Sequence, residues 1–105
     1  MPRFEFTDGS LEVDLDGFLQ EPERWTEAVA QALARAEGIA DLTEDHWRVL
    51  RYLRQYYQHH GAAPMIRKLC QETGFRLKRI YELFPTGPAR GACRIAGLPK
   101  PTGCV

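Results

Sequence analysis

Apolar residues recur at helical spacing between residues 25 and 36, and this periodicity limits the possible folds more than any other feature of the sequence. The stripe consists of Trp25, Ala28, Val29, Ala32, Leu33 and Ala36. Spacing of this kind is typical of a helix with one apolar face. Pro22 suits a first helical position because its φ angle is fixed, and Gly38 marks an end. The pattern predicts an amphipathic helix between Pro22 and Gly38.

A second helix is predicted from Thr43 to the neighbourhood of Gly61 and Pro64. Thr43 is a favourable N-cap, and Glu44 and Asp45 follow it where the helix dipole favours acids. The apolar face of this helix consists of Trp47, Leu50, Leu53 and Tyr57. Two amphipathic helices in succession indicate a mainly helical core.

Shorter helical elements are predicted in the rest of the chain. Residues 65–73 and 76–84 have helical patterns separated by Gly74, as in a helix-turn-helix. Pro85 ends the second of these helices, and Pro88 suits the first turn of another short helix that runs to about Ala96.

The N-terminal residues have a different pattern, typical of a β-hairpin. Residues 4–6 and 11–13 alternate apolar and polar side chains, and the Asp8-Gly9 pair between them is a strong turn signal. Two strands are unstable alone and must pack on helices. The predicted fold class is therefore mainly α with a short N-terminal β-hairpin: a small helical domain that contains a helix-turn-helix-like pair.

The size and composition of the chain indicate one globular domain. It has 105 residues, of which 44% are hydrophobic and 27% are charged, which is unlike a disordered protein. The N-terminus has no apolar signal core, so we expect a cytoplasmic protein. We assign residues 1–96 to the helical domain. Residues 97–105 contain two prolines and two glycines and are predicted to form a mobile C-terminal arm.

The two parts of the chain have opposite charge. The 14 basic and 14 acidic residues balance, but residues 1–63 carry a net charge of −6 and residues 64–105 a net charge of +6. Such asymmetry favours an acidic partner for the C-terminal part. Alternatively, the two parts pack together and neutralise each other.

The placement of the cysteines indicates sulfur chemistry. Cys70 falls on the third predicted helix and is expected to be a buried, inert thiol. Cys104 is the penultimate residue, and Cys93 lies eleven positions before it. The intervening residues can extend to about 35 Å or fold back so that the two Cα atoms approach the ~5.5 Å that a disulfide requires. Arg90, Arg94 and Lys100 are expected to favour the Cys93 thiolate.

Other chemistries receive less support from the sequence. No cysteine or histidine pair has zinc-binding spacing, so no metal site is predicted. No phosphate-binding glycine loop is present. DNA binding stays open, because Arg76, Lys78 and Arg79 fall on the second helix of the helix-turn-helix-like pair.

Several motifs resemble those of the DsrC/TusE family of sulfur carriers. The most specific is C-terminal: Leu-Phe-Pro-x-Gly-Pro-Ala at residues 83–89, then Ala-Cys-Arg-Ile-Ala-Gly-Leu-Pro-Lys-Pro-Thr-Gly-Cys-Val at residues 92–105. The upstream matches are residues 16–19 with Trp25, residues 37–39, 42–47 and 64–67. The resemblance covers nearly the whole chain.

The resemblance implies a sulfur carrier in which Cys104 accepts sulfur and Cys93 resolves it into a trisulfide. Members with both cysteines are of the DsrC type and resemble the gamma subunit of dissimilatory sulfite reductase, so the presence of Cys93 favours that type. The implied protein is a co-substrate without stand-alone catalysis. It binds no cofactor, and sirohaem and iron–sulfur clusters are expected in the partner enzyme.

The implied partners are the catalytic subunits of the reductase, sulfurtransferases and a membrane-linked reductase. We expect a monomer when free, without membrane insertion. The residues predicted to contact a partner are Arg90, Arg94, Lys100, Arg76, Lys78 and Arg79. Two alternatives remain: a TusE-like sulfur relay for tRNA thiolation, in which Cys93 is dispensable, and a helix-turn-helix DNA-binding regulator. The direction of sulfur flow stays open.

Overall fold

The computed structural model describes residues 2–6 and 9–100. Strands β1 (Arg3–Phe6) and β2 (Gly9–Glu12) pair antiparallel, with Phe4 opposite Leu11. Leu11 is buried in the core, so the hairpin packs on the helices as a two-stranded ribbon must. The predicted N-terminal hairpin is confirmed.

The first helix begins later than the periodicity predicts. Pro22–Arg24 form a single 3₁₀ turn, the backbone of Trp25 is extended, and helix α1 spans Glu27–Ala36. Its N-cap is Thr26, whose side chain accepts a hydrogen bond from the backbone N–H of Val29. The buried residues are Val29, Ala30, Leu33 and Ala34, whereas Ala28 and Ala36 of the predicted stripe are exposed. The prediction was wrong here because Trp25 leaves the helix to contact a distant part of the chain.

Helix α2 spans Glu44–His60 and has the predicted bounds. Thr43 and His46 form a capping box, in which the Thr43 side chain accepts from the His46 N–H and the His46 ring accepts from the Thr43 N–H. His46, Val49, Leu50 and Leu53 are its buried residues.

Three short helices follow. Helices α3 (Ile66–Thr73) and α4 (Leu77–Leu83) form the predicted pair on either side of Gly74. The last helix, α5, has π-type hydrogen bonding over Pro88–Cys93 and continues helically through residues 94–95. Its position agrees with the prediction, whereas its π geometry is not indicated by the sequence.

The hydrophobic core extends further along the chain than predicted. Leu98 is 1% exposed, and Gly97 is also buried. The boundary predicted between residues 96 and 97 is therefore too early, because packed structure continues at least to Leu98. The rest of the predicted arm, residues 101–105, lies outside the described residues. No helix in the described ranges is long and apolar enough to cross a membrane.

Candidate functional site

Cys93 lies at the end of α5 and is 1% exposed, within the hydrophobic core. Burial raises the pKa of its thiol to about 12. Cys93 is therefore a neutral thiol at physiological pH. The prediction that nearby bases favour its thiolate is wrong, since withdrawal from water dominates its environment.

The three bases around Cys93 in the sequence form ion pairs with acids from the N-terminal part of the chain. Arg94 donates through Nε to Glu37 Oε2 at 3.0 Å and through Nη1 to the backbone oxygen of Asp16 at 2.9 Å. Lys100 Nζ lies 2.5 Å from Asp16 Oδ2, and Arg90 Nη1 lies 3.8 Å from Asp16 Oδ1. The hydrogen bond from Lys100 is the main reason that the pKa of Asp16 is lowered. The two carboxylates of Asp16 and Glu37 thus offset part of the positive charge of these three bases.

The loop that presents Asp16 is ordered by its own hydrogen bonds. Asp14 Oδ1 accepts from the backbone N–H groups of Asp16 and Phe18, both at 2.9 Å. Gly17 has a φ angle of +89°, and a Cβ placed on it would lie 3.2 Å from Cδ of Arg94. The loop therefore packs closely against the Arg94 side chain while its carboxylate faces Arg90 and Lys100.

Trp25 and Arg54 hold the chain where it leaves α5. Trp25 Nε1 donates to the Ile95 carbonyl at 2.8 Å, and Arg54 Nη1 donates to the Ala96 carbonyl at 2.9 Å. The Arg54 guanidinium also stacks on the indole of Trp25, 4.3 Å from its centroid, and burial lowers the Arg54 pKa. We call Trp25 and Arg54 the exit clamp. The sequence does not indicate this contact, because the spacing of Trp25 predicts a position on the face of a helix.

Gly97 fits against the exit clamp only because it has no side chain. Its φ angle is +75°, and a Cβ would lie 2.3 Å from Cδ1 of Trp25. The next residue, Leu98, donates its backbone N–H to the Cys93 carbonyl at 3.1 Å. Residues 97 and 98 therefore turn back against the end of α5, and the backbone of Leu98 bonds to that of Cys93.

The remaining predicted site residues lie elsewhere. Cys104 is outside the described residues. On α4, Arg79 pairs with Asp45 at 2.8 Å and with Glu82 at 3.3 Å, whereas Arg76 and Lys78 are exposed. Cys70 is half-buried against the core rather than fully buried. Within the ranges that the structure describes, no three His, Cys, Asp or Glu residues form a metal-binding group.

His46 is a buried polar residue whose structural role the sequence analysis did not identify. Its Nε2 lies 2.8 Å from the Leu83 carbonyl, and its Nδ1 accepts from the Thr43 N–H at 3.1 Å. Because a carbonyl can only accept, Nε2 holds the proton and the ring is neutral. Burial is the main cause of its lowered pKa. His46 thereby joins the start of α2 to the end of α4, immediately before α5.

Comparison with known proteins identifies the family of a chain with this arrangement. The family model described as "DsrC like protein" matches residues 5–105, which include both Cys93 and Cys104. The chain belongs to the DsrC family. The cysteine-bearing C-terminal region is thus part of what the family shares, together with the helical body.

The relatives of this DsrC-family chain include a subunit of a sulfite reductase and a sulfurtransferase. It is 51% identical over 96 residues to the gamma subunit of dissimilatory-type sulfite reductase from Nitratidesulfovibrio vulgaris, with 91% of each chain covered. It is 43% identical over 108 residues to the sulfurtransferase TusE of Pectobacterium atrosepticum, with 96% of this chain and 98% of TusE covered. The crystal structure of the oxidized gamma subunit (DsrC) from Archaeoglobus fulgidus matches with a TM-score of 0.87 at 49% identity, covering 99% of this chain and 100% of that chain.

Proposed function

We propose that this DsrC-family chain is a sulfur carrier and a co-substrate of dissimilatory sulfite reductase. The observation that carries the proposal is the placement of a protected thiol, Cys93, at the base of a segment with a second cysteine eleven residues later. The relatives named above are a subunit of that reductase and a sulfurtransferase, which supports sulfur as the cargo. A regulator that binds DNA through α4 is not favoured, since Arg79 is engaged by Asp45 and Glu82.

In the proposed reaction, Cys104 reacts first and Cys93 second. Cys104 accepts a sulfur atom at the sulfoxylate level, S(OH)₂, and its thiol proton leaves with one hydroxyl as water. The Cys93 thiol then displaces the second hydroxyl as water, which gives the trisulfide Cys104–S–S–S–Cys93 without net oxidation or reduction. Four electrons and four protons later return both thiols and release hydrogen sulfide. A reducing compartment such as the cytoplasm suits this last step.

Burial of Cys93 accounts for this order. A thiol with a pKa of about 12 is almost entirely protonated at neutral pH and reacts slowly with small oxidants. Because Cys93 is 1% exposed, the structure around it must open before the loaded Cys104 can reach its sulfur. The fold thus protects Cys93 from premature oxidation and leaves Cys104 as the first thiol to be loaded.

Electrons, activated sulfur and metal cofactors are proposed to come from other proteins. Stand-alone catalysis is not expected, because the electrons and the activated sulfur come from partner enzymes. We expect sirohaem and iron–sulfur clusters in the catalytic subunits of the reductase and no cofactor on this chain. Sulfurtransferases and a membrane-linked reductase are further proposed partners.

The proposal is tested with cysteine variants turned over with purified reductase and sulfite. Cys104→Ser should abolish sulfur loading, whereas Cys93→Ser should load sulfur without forming a trisulfide. Cys70→Ser is the matched control and should behave as the wild type, because Cys70, which lies on α3, has no part in the proposed steps. Intact-mass spectrometry gives the readout. A trisulfide that persists in either arm variant would refute the two-thiol mechanism, and sulfur delivery that is unaffected by Cys93→Ser would favour a TusE-like relay.

A further inference from the structure

The bases that the sequence offered for partner binding are largely used inside the molecule. Arg79, Arg90, Arg94 and Lys100 all form ion pairs with carboxylates of this chain. Each of these pairs offsets the charge that would attract an acidic partner. The bases that form no ion pair in the described part of the chain are therefore better placed to contact such a partner.

Helix α2 presents two such bases, Arg48 and Arg51. Both are exposed, and no ion pair in the described ranges involves either of them. Arg48 lies over the ring of Phe75, 5.6 Å from its centroid, and Arg51 lies over Trp47 at 5.8 Å. Stacking restricts a guanidinium while its N–H edge stays available for carboxylate oxygens. These two side chains are thus partly preorganised to bind carboxylates.

The same face of α2 forms a groove that leads to the exit clamp. Two adjoining concavities of about 580 and 390 Å³ share Trp47, Arg51 and Gln55 as lining residues. The second concavity is also lined by Trp25 and Arg54, the residues that hold the carbonyls of Ile95 and Ala96. The groove therefore lies beside the turn at residues 95–97, which precedes the segment that carries Cys104 in the sequence.

We propose that this α2 groove, with Arg48 and Arg51 at its centre, docks an acidic surface of the protein that receives the cysteine-bearing segment. The inference rests on the proposed function and adds to it the surface that the partner contacts. The two arginines are three positions apart on a helix, about 4.5 Å along its axis. They match two carboxylates about one helical turn apart on the partner.

Two observations favour a protein over a nucleic acid as the occupant. One face of the Trp47 indole and one face of the Trp25 indole are each occupied by a guanidinium group, which leaves less aromatic surface for base stacking. Glu44 lines one concavity and Glu27 the other, and both oppose a phosphate backbone that runs along the groove. A short acidic protein surface needs to contact only Arg48 and Arg51, whereas a phosphate backbone that follows the groove passes both acids.

The test measures binding to the purified catalytic subunits of dissimilatory sulfite reductase, with all forms in the Cys104→Ser background to prevent covalent trapping. Arg48→Gln/Arg51→Gln should weaken binding at least about tenfold at low salt, mainly through the association rate, and should flatten its salt dependence. The matched control is Arg67→Gln/Lys68→Gln, which removes the same charge from two exposed bases on α3 that do not line the groove. It should change the affinity less than about twofold. Circular dichroism establishes that each variant is folded.

The outcomes separate this inference from the proposed function. If no form binds the reductase, the proposed function fails and the docking surface fails with it. If the wild-type surface binds and Arg48→Gln/Arg51→Gln binds equally well, the docking surface alone is wrong. If Arg67→Gln/Lys68→Gln weakens binding more than Arg48→Gln/Arg51→Gln does, the docking surface is likewise wrong. In a parallel titration with duplex DNA and with tRNA, binding that depends on Arg48 and Arg51 would overturn the assignment to a protein partner.

Discussion

At the scale of single residues, two buried polar groups are held in their neutral forms by the core. The Cys93 thiol keeps its proton because burial raises its pKa, and the His46 imidazole remains unprotonated at Nδ1 because burial lowers its pKa. Burial of the Cys93 thiol delays its reaction until the structure around it opens. The lowered pKa of His46 makes the free energy of unfolding depend on pH.

The pH dependence assigned to His46 has a definite sign. Because its pKa is lowered in the folded state, the unfolded chain binds a proton at higher pH, near the ordinary histidine value of about 6.5. The stabilisation is complete above that pH and is lost as pH falls towards the folded-state pKa. In urea unfolding at a series of pH values, His46→Gln should reduce the dependence of the free energy of unfolding on pH below 6.5. It should also lower the free energy of unfolding at pH 7.5 by about 1–2 kcal/mol.

The control for that prediction is His59→Gln, since His59 is exposed in the last turn of the same helix. In this variant, the free energy of unfolding should change with pH below 6.5 as it does in the wild type. If instead His59→Gln removes this pH dependence and His46→Gln retains it, the role assigned to the buried ring is incorrect.

At the scale of elements, local signals in the sequence predicted where helices end, but they did not predict tertiary contacts. Thr43 and Gly61 mark the ends of α2 because capping is local chemistry. The start of α1 was misplaced because the indole of Trp25 bonds to the Ile95 carbonyl, 70 residues away, and no local pattern indicates that contact. The burial of Gly97 and Leu98 was missed for the same reason: their composition is typical of an arm, but their packing depends on the exit clamp.

The exit clamp can be tested with a glycine substitution. Gly97→Ala should lower the free energy of unfolding by clearly more than the ~1–2 kcal/mol expected for a left-handed backbone alone, because its Cβ would overlap the Trp25 ring. It should also increase hydrogen exchange at the Leu98 N–H. Gly38→Ala is the matched control, with a φ angle of +88° and no atom within 4 Å of the added Cβ. Equal losses in the two variants, measured by urea unfolding, would contradict the close packing against Trp25.

At the scale of the whole molecule, part of the opposite charge of the two parts of the chain is paired internally: in the described ranges, four of the eight bases in residues 64–105 form ion pairs with acids of residues 1–63. Asp16, Glu37 and Asp45 of the acidic part pair with Lys100, Arg94 and Arg79 of the basic part, across 84, 57 and 34 residues. The sequence shows the charge imbalance but not which acids and bases form ion pairs, because pairing over such separations depends on the complete fold. The candidate cysteines could be found from their positions, whereas the protection of Cys93 and the α2 groove required the structure.

The most direct test of the sulfur-carrier account follows isotopically labelled sulfite through one turnover with the reductase. We predict that the wild-type chain gains a single labelled sulfur, recovered by peptide mass spectrometry as a bridge between the peptides that contain Cys93 and Cys104. In Cys93→Ser the label should stay on the Cys104 peptide alone. Labelled sulfide released while neither cysteine peptide ever carries label would contradict the account.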